Sequence, residues 1–192
     1  MEAASTLLPV ACHIRDAEPA DLPEIAAIYR HFVETGTASF EEVAPPVEEM
    51  LSRFKAVKDR GLPYRVAEVE GAVLGYAYAG PFRARSAYRF TVENSVYVDA
   101  RYHARGVGLA LMQSIIAECT ALGYRQMLAV IGDSANEGSI RLHTRLGYRT
   151  IGHEIGIGRK FGRWLDVVQM QLPLGEGTRT PPAMEPVGYK RS

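Results

Sequence analysis

The stretch from Glu93 to Glu118, ENSVYVDARYHARGVGLALMQSIIAE, constrains what this chain can fold into more than any other. Ser95-Val96-Tyr97-Val98 is β-branched and aromatic, so it reads as a strand. Asp99 to Ala104 is a polar connection. Arg105-Gly106-Val107-Gly108 then opens an apolar helix, with Val107, Leu111, Ile115 and Ala110, Ser114 at helical spacing. The first N–H groups of a helix have no internal partners, and its dipole adds positive potential there. A strand, a glycine turn and a helix start therefore make an anion cradle, and two glycines let a phosphate approach the backbone. The plainer reading of these residues is a tight turn into a buried helix.

Two other phosphate-binding arrangements are excluded. A dinucleotide fingerprint needs a third small residue after Gly106 and Gly108, and Leu111 stands there. About twenty residues on, where an acidic ribose ligand belongs, the chain has Gln126 and Met127. The Gly-Lys-Ser/Thr ending of a phosphate loop is absent.

The 22 basic and 22 acidic residues balance to zero net charge, which implies no strong field toward nucleic acid or membrane. Cys12 and Cys119 are far apart and lack metal-ligand spacing, which favours a reducing, cytoplasmic setting. The start, MEAASTLLPVAC, has no basic residue before its apolar run and does not read as a signal peptide. Residues 1–12 are expected to form a flexible arm, 13–174 one domain, and 175–192 a disordered tail rich in Pro, Gly, Thr and charge.

Within the domain the first strand begins at His13-Ile14-Arg15. Asp21-Leu22-Pro23-Glu24 is a helix start with Asp21 as its N-cap, and Gly36 ends that helix. A second helix follows Pro45-Pro46 and stops at Gly61-Leu62-Pro63. Tyr64 to Val69 and Val73 to Ala79 are strands joined by a Glu70-Gly71 hairpin turn. Further strands are expected at Phe90 to Val98 and Gln126 to Ile131, and a helix from Asn136 to Leu146. Arg149 to Ile155 and Trp164 to Leu172 are the last strands, separated by a glycine-rich basic loop from Gly156 to Arg163. This order predicts an α/β (α+β) domain with a mixed central sheet flanked by helices.

Gly106 and Gly108 match the Arg/Gln-x-x-Gly-x-Gly/Ala signature of GCN5-related N-acetyltransferases, which the stretch resembles; His103 stands where Arg or Gln is usual. Other segments resemble phosphinothricin and methionine sulfoximine N-acetyltransferases more specifically. They are Ala79-Gly80-Pro81-Phe82-Arg83-Ala84-Arg85 with Tyr88-Arg89-Phe90-Thr91-Val92-Glu93, the Asn136 to Tyr148 helix region, and Lys160-Phe161-Gly162-Arg163-Trp164-Leu165-Asp166. The resemblance implies acetyl transfer from acetyl-CoA to the α-amino group of a small amino-acid analogue, with no metal, and pairing of chains into a homodimer. The alternatives are acetylation of another small amine or a protein N-terminus, or a non-catalytic acyl-CoA sensor.

An amine must be uncharged to attack a thioester, and an α-amino group has a pKa of about 8. A carboxylate beside it can take the proton. Glu93, an acid inside an apolar strand, is the expected base, and the resemblance places the catalytic glutamate there; the alternative is a solvent-facing strand residue. The resemblance lays acetyl-CoA along Val96, Tyr97 and Val98, with its pyrophosphate on Ala104, Arg105, Gly106, Val107, Gly108 and Leu109. Asn136 matches a cofactor contact and is equally a helix N-cap. His143 is a candidate acid for the leaving thiolate, or else a structural histidine. Arg83, Ala84 and Arg85 form the family's substrate-contact loop, where arginine can grip a carboxylate, unless the loop is merely solvated. Phe40 and Trp164 could wall the acceptor site or pack in the core, and Asn94 and Ser95 are possible polar contacts.

Overall fold

Apolar alternation and helical periodicity resolve into one seven-stranded sheet, ordered β1-β2-β3-β4-β5-β7-β6. The structure is a computed structural model, and it describes residues 8–187 and Tyr189. The elements run β1 (His13–Asp16), α1 (Leu22–Thr35), α2 (Val47–Lys58), β2 (Tyr64–Val69), β3 (Ala72–Pro81) and β4 (Thr91–Val98). They continue with α3 (Val107–Ala121), β5 (Gln126–Gly132), α4 (Glu137–Arg145), β6 (Arg149–Lys160) and β7 (Arg163–Pro173). Neighbouring strands are antiparallel except β4 and β5, which are parallel and joined through α3.

Strand alternation sends side chains to two faces, and each face has its own core. On one, α3 buries Val107, Leu111, Met112, Ile115 and Cys119 against Ala77, Ala79, Val92, Met127 and Ala129. Each large apolar side chain buried there is worth about 1.5–3 kcal/mol relative to exposure. On the other, α1 and α2 bring Ile25, Tyr29, Val33, Met50 and Phe54 against Tyr64, Val66 and Tyr76. The hairpin between β2 and β3 closes with Val69 opposite Ala72, so Glu70-Gly71 is the expected turn, with positive φ at both residues.

Three local readings change. Asp21 precedes α1 but makes no side-chain cap to it. Its carboxylate accepts from both terminal nitrogens of Arg15 (2.8 Å each) and from the Glu18 N–H (2.8 Å), which holds its pKa below the usual carboxylate value. The expected loop from Gly156 to Arg163 is mostly strand: β6 runs on to Lys160, and only Phe161-Gly162 turn. Gly156 (φ +62) lies in the register shift between Glu154 and Gly158, so its glycine marks a bulge rather than a loop. Finally, residues 175–187 and Tyr189 have no strand or helix, yet they are tied to the domain. The Arg125 guanidinium donates to the Gly177 and Pro181 carbonyls and to Thr180, Tyr124 donates to the Val187 carbonyl (3.1 Å), and Arg89 pairs with Glu185. Residues 1–7 of the expected arm lie outside the described residues.

Candidate active site

The parallel ladder pairs Thr91 with Gln126 through Asn94 with Ala129 and then stops. Yet β4 continues to Val98, and β5 to Gly132. The two strands part into a cleft. Asp99 N–H donates to the Leu74 carbonyl, and the Thr91 carbonyl accepts from Phe82, so odd-numbered residues of β4 point their backbone groups at β3. Alternation turns Val96 and Val98 toward the cleft. There the Val98 carbonyl is taken by the His103 ring (2.8 Å), while the Val96 N–H and carbonyl lie beyond the last pair with β5.

At the far end of this edge stands the start of α3. Ala104 (φ +57) and Gly106 (φ +88) are both left-handed, and the first helical bond is from Ala110 N–H to the Gly106 carbonyl (3.0 Å). The N–H groups of Val107, Gly108 and Leu109 therefore precede the helical ladder. A Cβ at Gly108 would press on Leu142 (3.3 Å) and Val98 (3.5 Å), so glycine there also lets α3 seat against β4.

Cleft and cradle open into one cavity of about 1240 Å³. It is lined by Val96, Tyr97, Val98, Ala104, Gly106, Val107, Gly108, Leu109 and Asn136, and also by Phe40, Glu93, Asn94, Ser95 and His143. Glu93 is partly buried, and among the described residues its carboxylate has neither a hydrogen-bond nor an ion-pair partner. Burial pushes its pKa up. The other carboxylate in the cavity, Glu41, is gripped by Arg53 (2.7 Å). One acid is thus neutralised and the other is free to exchange a proton.

His143 is 2 % exposed. Its Nδ1 lies 2.8 Å from the Ser139 carbonyl, which can only accept, so the proton is on Nδ1. Its Nε2 then accepts from the Asn94 amide (2.9 Å), whose oxygen accepts from the Tyr148 hydroxyl (2.9 Å). Burial pushes the ring pKa down, so it is neutral with no N–H left for a leaving thiolate. Of the two readings of His143, this geometry fits the structural one, and it places Asn94 in the same network.

The family model for an acetyltransferase (GNAT) domain matches residues 14–169. The chain belongs to the GNAT acetyltransferase family. It is 51 % identical over 172 residues to a phosphinothricin N-acetyltransferase of Alcaligenes faecalis, covering 90 % of this chain and 87 % of that protein. It is 43 % identical over 170 residues to an L-methionine sulfoximine/L-methionine sulfone acetyltransferase of Pseudomonas paraeruginosa, covering 88 % of this chain and 98 % of that one. Among solved structures it resembles a GNAT superfamily phosphinothricin acetyltransferase from Sinorhizobium meliloti in complex with AcCoA. The TM-score is 0.89 at 46 % identity, over 94 % of this chain and all of that one.

The features of this GNAT chain fit an acyl-CoA: an unpaired strand edge for amides, a helix start for phosphate, and open space around Gly106, where nothing lies within 4 Å of an added Cβ. Asn136 is both N-cap, accepting from Ser139 N–H (3.3 Å), and cavity wall. Five expected site residues lie elsewhere. Arg83 stacks over Phe82 (4.9 Å) and Tyr88 (5.6 Å), and Ala84 and Arg85 are exposed outside the cavity. Arg105 turns its guanidinium to the Leu8 carbonyl (3.2 Å) and does not line the cavity. Trp164, 70 % exposed, is on the β6–β7 hairpin rather than in the acceptor wall.

In exchange the cavity gains, beside His103, Arg141 and Arg145 of α4, cations of which Arg141 is paired with Glu137 (2.6 Å). Their signal in the sequence was only their spacing, four residues apart on one helix face. Cys119 is buried in α3 with its thiol pushed up to about 12, a poor nucleophile. Among the described residues no three His, Cys, Asp or Glu side chains are grouped to hold a metal ion, and no helix is long and apolar enough to cross a membrane.

Proposed function

We propose that the protein transfers acetyl from acetyl-CoA directly to the α-amino group of a small amino-acid analogue such as phosphinothricin, methionine sulfoximine or methionine sulfone. The observation that carries this reading is the unpartnered, partly buried Glu93 carboxylate in the cavity that also holds the parted β4 edge and the α3 cradle. The relatives named above support the acceptor class. Acetyl-CoA supplies a thioester. The chain's own residues do the rest. The backbone of Val96 and Val98 orients the pantetheine arm, the amides from Ala104 to Leu109 take the pyrophosphate, and Asn136 closes that end. Glu93 removes the ammonium proton. An unpaired N–H of the β4 edge faces the carbonyl oxygen as negative charge develops on it. The reaction is one attack in a ternary complex, because neither cysteine offers a nucleophile: the nitrogen–carbonyl bond forms, the thioester C–S bond breaks, and CoA leaves as a thiolate that takes up the nitrogen's second proton.

The Arg83–Arg85 loop starts beside Glu93, since Gly80 pairs with Glu93 and Pro81 with Val92. Its arginines meet the acceptor's carboxylate only if this loop turns inward. Two free thiols support a reducing, cytoplasmic setting. β6 is a sheet edge with Ile151, Ile155, Ile157 and, across the hairpin, Phe161 and Trp164 exposed, so a second copy is the occupant that would cover it as a homodimer. Light scattering should give twice the chain mass, and Trp164→Asp should return the monomer. A strictly monomeric active wild type removes the pairing.

Thiol release from acetyl-CoA with phosphinothricin, methionine sulfoximine, methionine sulfone, ordinary amino acids, an N-terminal peptide and spermidine tests the function. Turnover concentrated in the first three is expected. Turnover only with the peptide or the polyamine would keep the family and discard the acceptor. Acetyl-CoA binding without turnover would favour the sensor.

A further inference from the structure

Lys160 is 1 % exposed, and neither the cradle nor Glu93 uses it. Its ammonium donates to the Gly36 carbonyl (2.9 Å) and the Ser39 carbonyl (2.8 Å), and stands 5.0 Å from the Phe161 ring centroid. Among the described residues it has no carboxylate at ion-pair distance. Gly36 ends α1, so the cation lies at the negative end of that helix, which offsets part of its burial. Burial still pushes its pKa down, with Glu42 and Glu41 acting the other way.

The loop it holds is anchored twice more. Thr37 donates to Asp133 (2.8 Å), which also receives Arg163 (2.8 Å), and the Ser39 hydroxyl meets Tyr29 (2.9 Å). Phe40 follows, 37 % exposed, with its ring over two glycines. A Cβ at Gly158 would stand 2.1 Å from the ring, and one at Gly132 would stand 2.8 Å from it. Neither glycine has positive φ, so their missing side chains matter here for space. Ser39, Phe40 and Glu41 face the cavity that contains Glu93.

We propose that Lys160 is a positioning residue for the acceptor: by holding the Gly36 and Ser39 carbonyls it seats Phe40 against Gly132 and Gly158, and so sets the wall that selects among small amines. Lys160 and Gly158 are on one strand, so the β6–β7 hairpin carries both the clamp on the loop and the seat of the Phe40 ring. The kinetic side of this inference rests on the acetyltransferase reading; the structural side does not.

The test uses the full chain with Lys160→Met, which keeps the length and loses the donors, and Gly158→Ala, which crowds the ring. Both should raise the amine KM about tenfold or more while leaving the acetyl-CoA KM within about twofold. Amide hydrogen exchange over residues 37–41 should quicken in Lys160→Met, with α3 unchanged. An unchanged amine KM, or both KM values rising together, overturns the proposal. Should Lys160→Met fail to fold, Gly158→Ala decides by the same split. Should the wild type acetylate no amine, the acetyltransferase reading falls. Exchange then decides: quickening confined to 37–41 supports the positioning role, and its absence overturns it.

Discussion

Glu93→Gln should lower kcat at neutral pH by about 10²–10⁴-fold, the usual worth of a positioned proton acceptor. The amide keeps the shape of the carboxyl and removes only its basicity. The loss should shrink as pH approaches the amine's own pKa, about 8 for an α-amino group, because solution then supplies the neutral nucleophile. Burial raises the Glu93 pKa, so the wild-type rate should fall on acidification at a higher pH than an exposed carboxylate would give. The same shift fixes the sign for stability. A carboxylate with a raised folded-state pKa binds its proton more tightly folded than unfolded, so its ionised form weakens the fold above the unfolded pKa. Glu93→Gln should therefore melt at or above the wild-type temperature at neutral pH while losing activity. Rates of thiol release against pH, with melting curves alongside, check both halves. A variant within about twofold of wild type across the range removes Glu93 as base.

Gly106→Val should raise the acetyl-CoA KM about tenfold or more, with the amine KM little changed. Gly106 holds φ +88, and a β-branched side chain strongly disfavours that region. Strain of this kind costs about 1–3 kcal/mol, and about 1.4 kcal/mol is tenfold in affinity. There is room for the side chain, since nothing lies within 4 Å of the added Cβ, so the effect is conformational. The turn relaxes, and the amides from Ala104 to Leu109 no longer converge. Gly108→Ala is the contrast: its backbone is ordinary, and its Cβ meets Leu142 and Val98, so it should mainly lower melting temperature. Titration with acetyl-CoA, independent of turnover, measures the first. Unchanged affinity in Gly106→Val would remove the cradle.

Both positions were legible from sequence because their signals are local. A glycine-rich turn between a β-branched run and an apolar helix leaves few backbone paths, and an acid within such a run stands out. The Glu70-Gly71 turn and most element boundaries rest on the same kind of information, the preferences of a residue and its near neighbours. Gly156 shows the limit of that information. A glycine within a strand and a glycine within a loop look alike until the partner strand is known, so local signals divide the long β6–β7 hairpin into two shorter strands.

What only the tertiary structure decided are the partnerships between distant segments. β4 and β5 pair only as far as Asn94 and Ala129, while β5 stays paired with β7 along its whole length, from Gln126 to Gly132. That parting turns an ordinary strand into an open edge at Val96. Arg105 looked like a phosphate ligand, but Leu8 claims it, while Arg141 and Arg145 reach the cavity from another helix. His143 had the spacing of a proton donor, but burial pushes its pKa down and the Ser139 carbonyl and Asn94 amide occupy its two ring nitrogens. Lys160 belongs by sequence to a glycine-rich basic loop, and in the fold it is buried where Gly36 and Ser39, far away in the chain, present it with carbonyls. Sequence by itself determined the local path of the backbone and the type of chemistry available, because both depend on dihedral preference and side-chain identity. Tertiary structure decided which charges are free, because that depends on which partner reaches each group first once the chain has closed on itself.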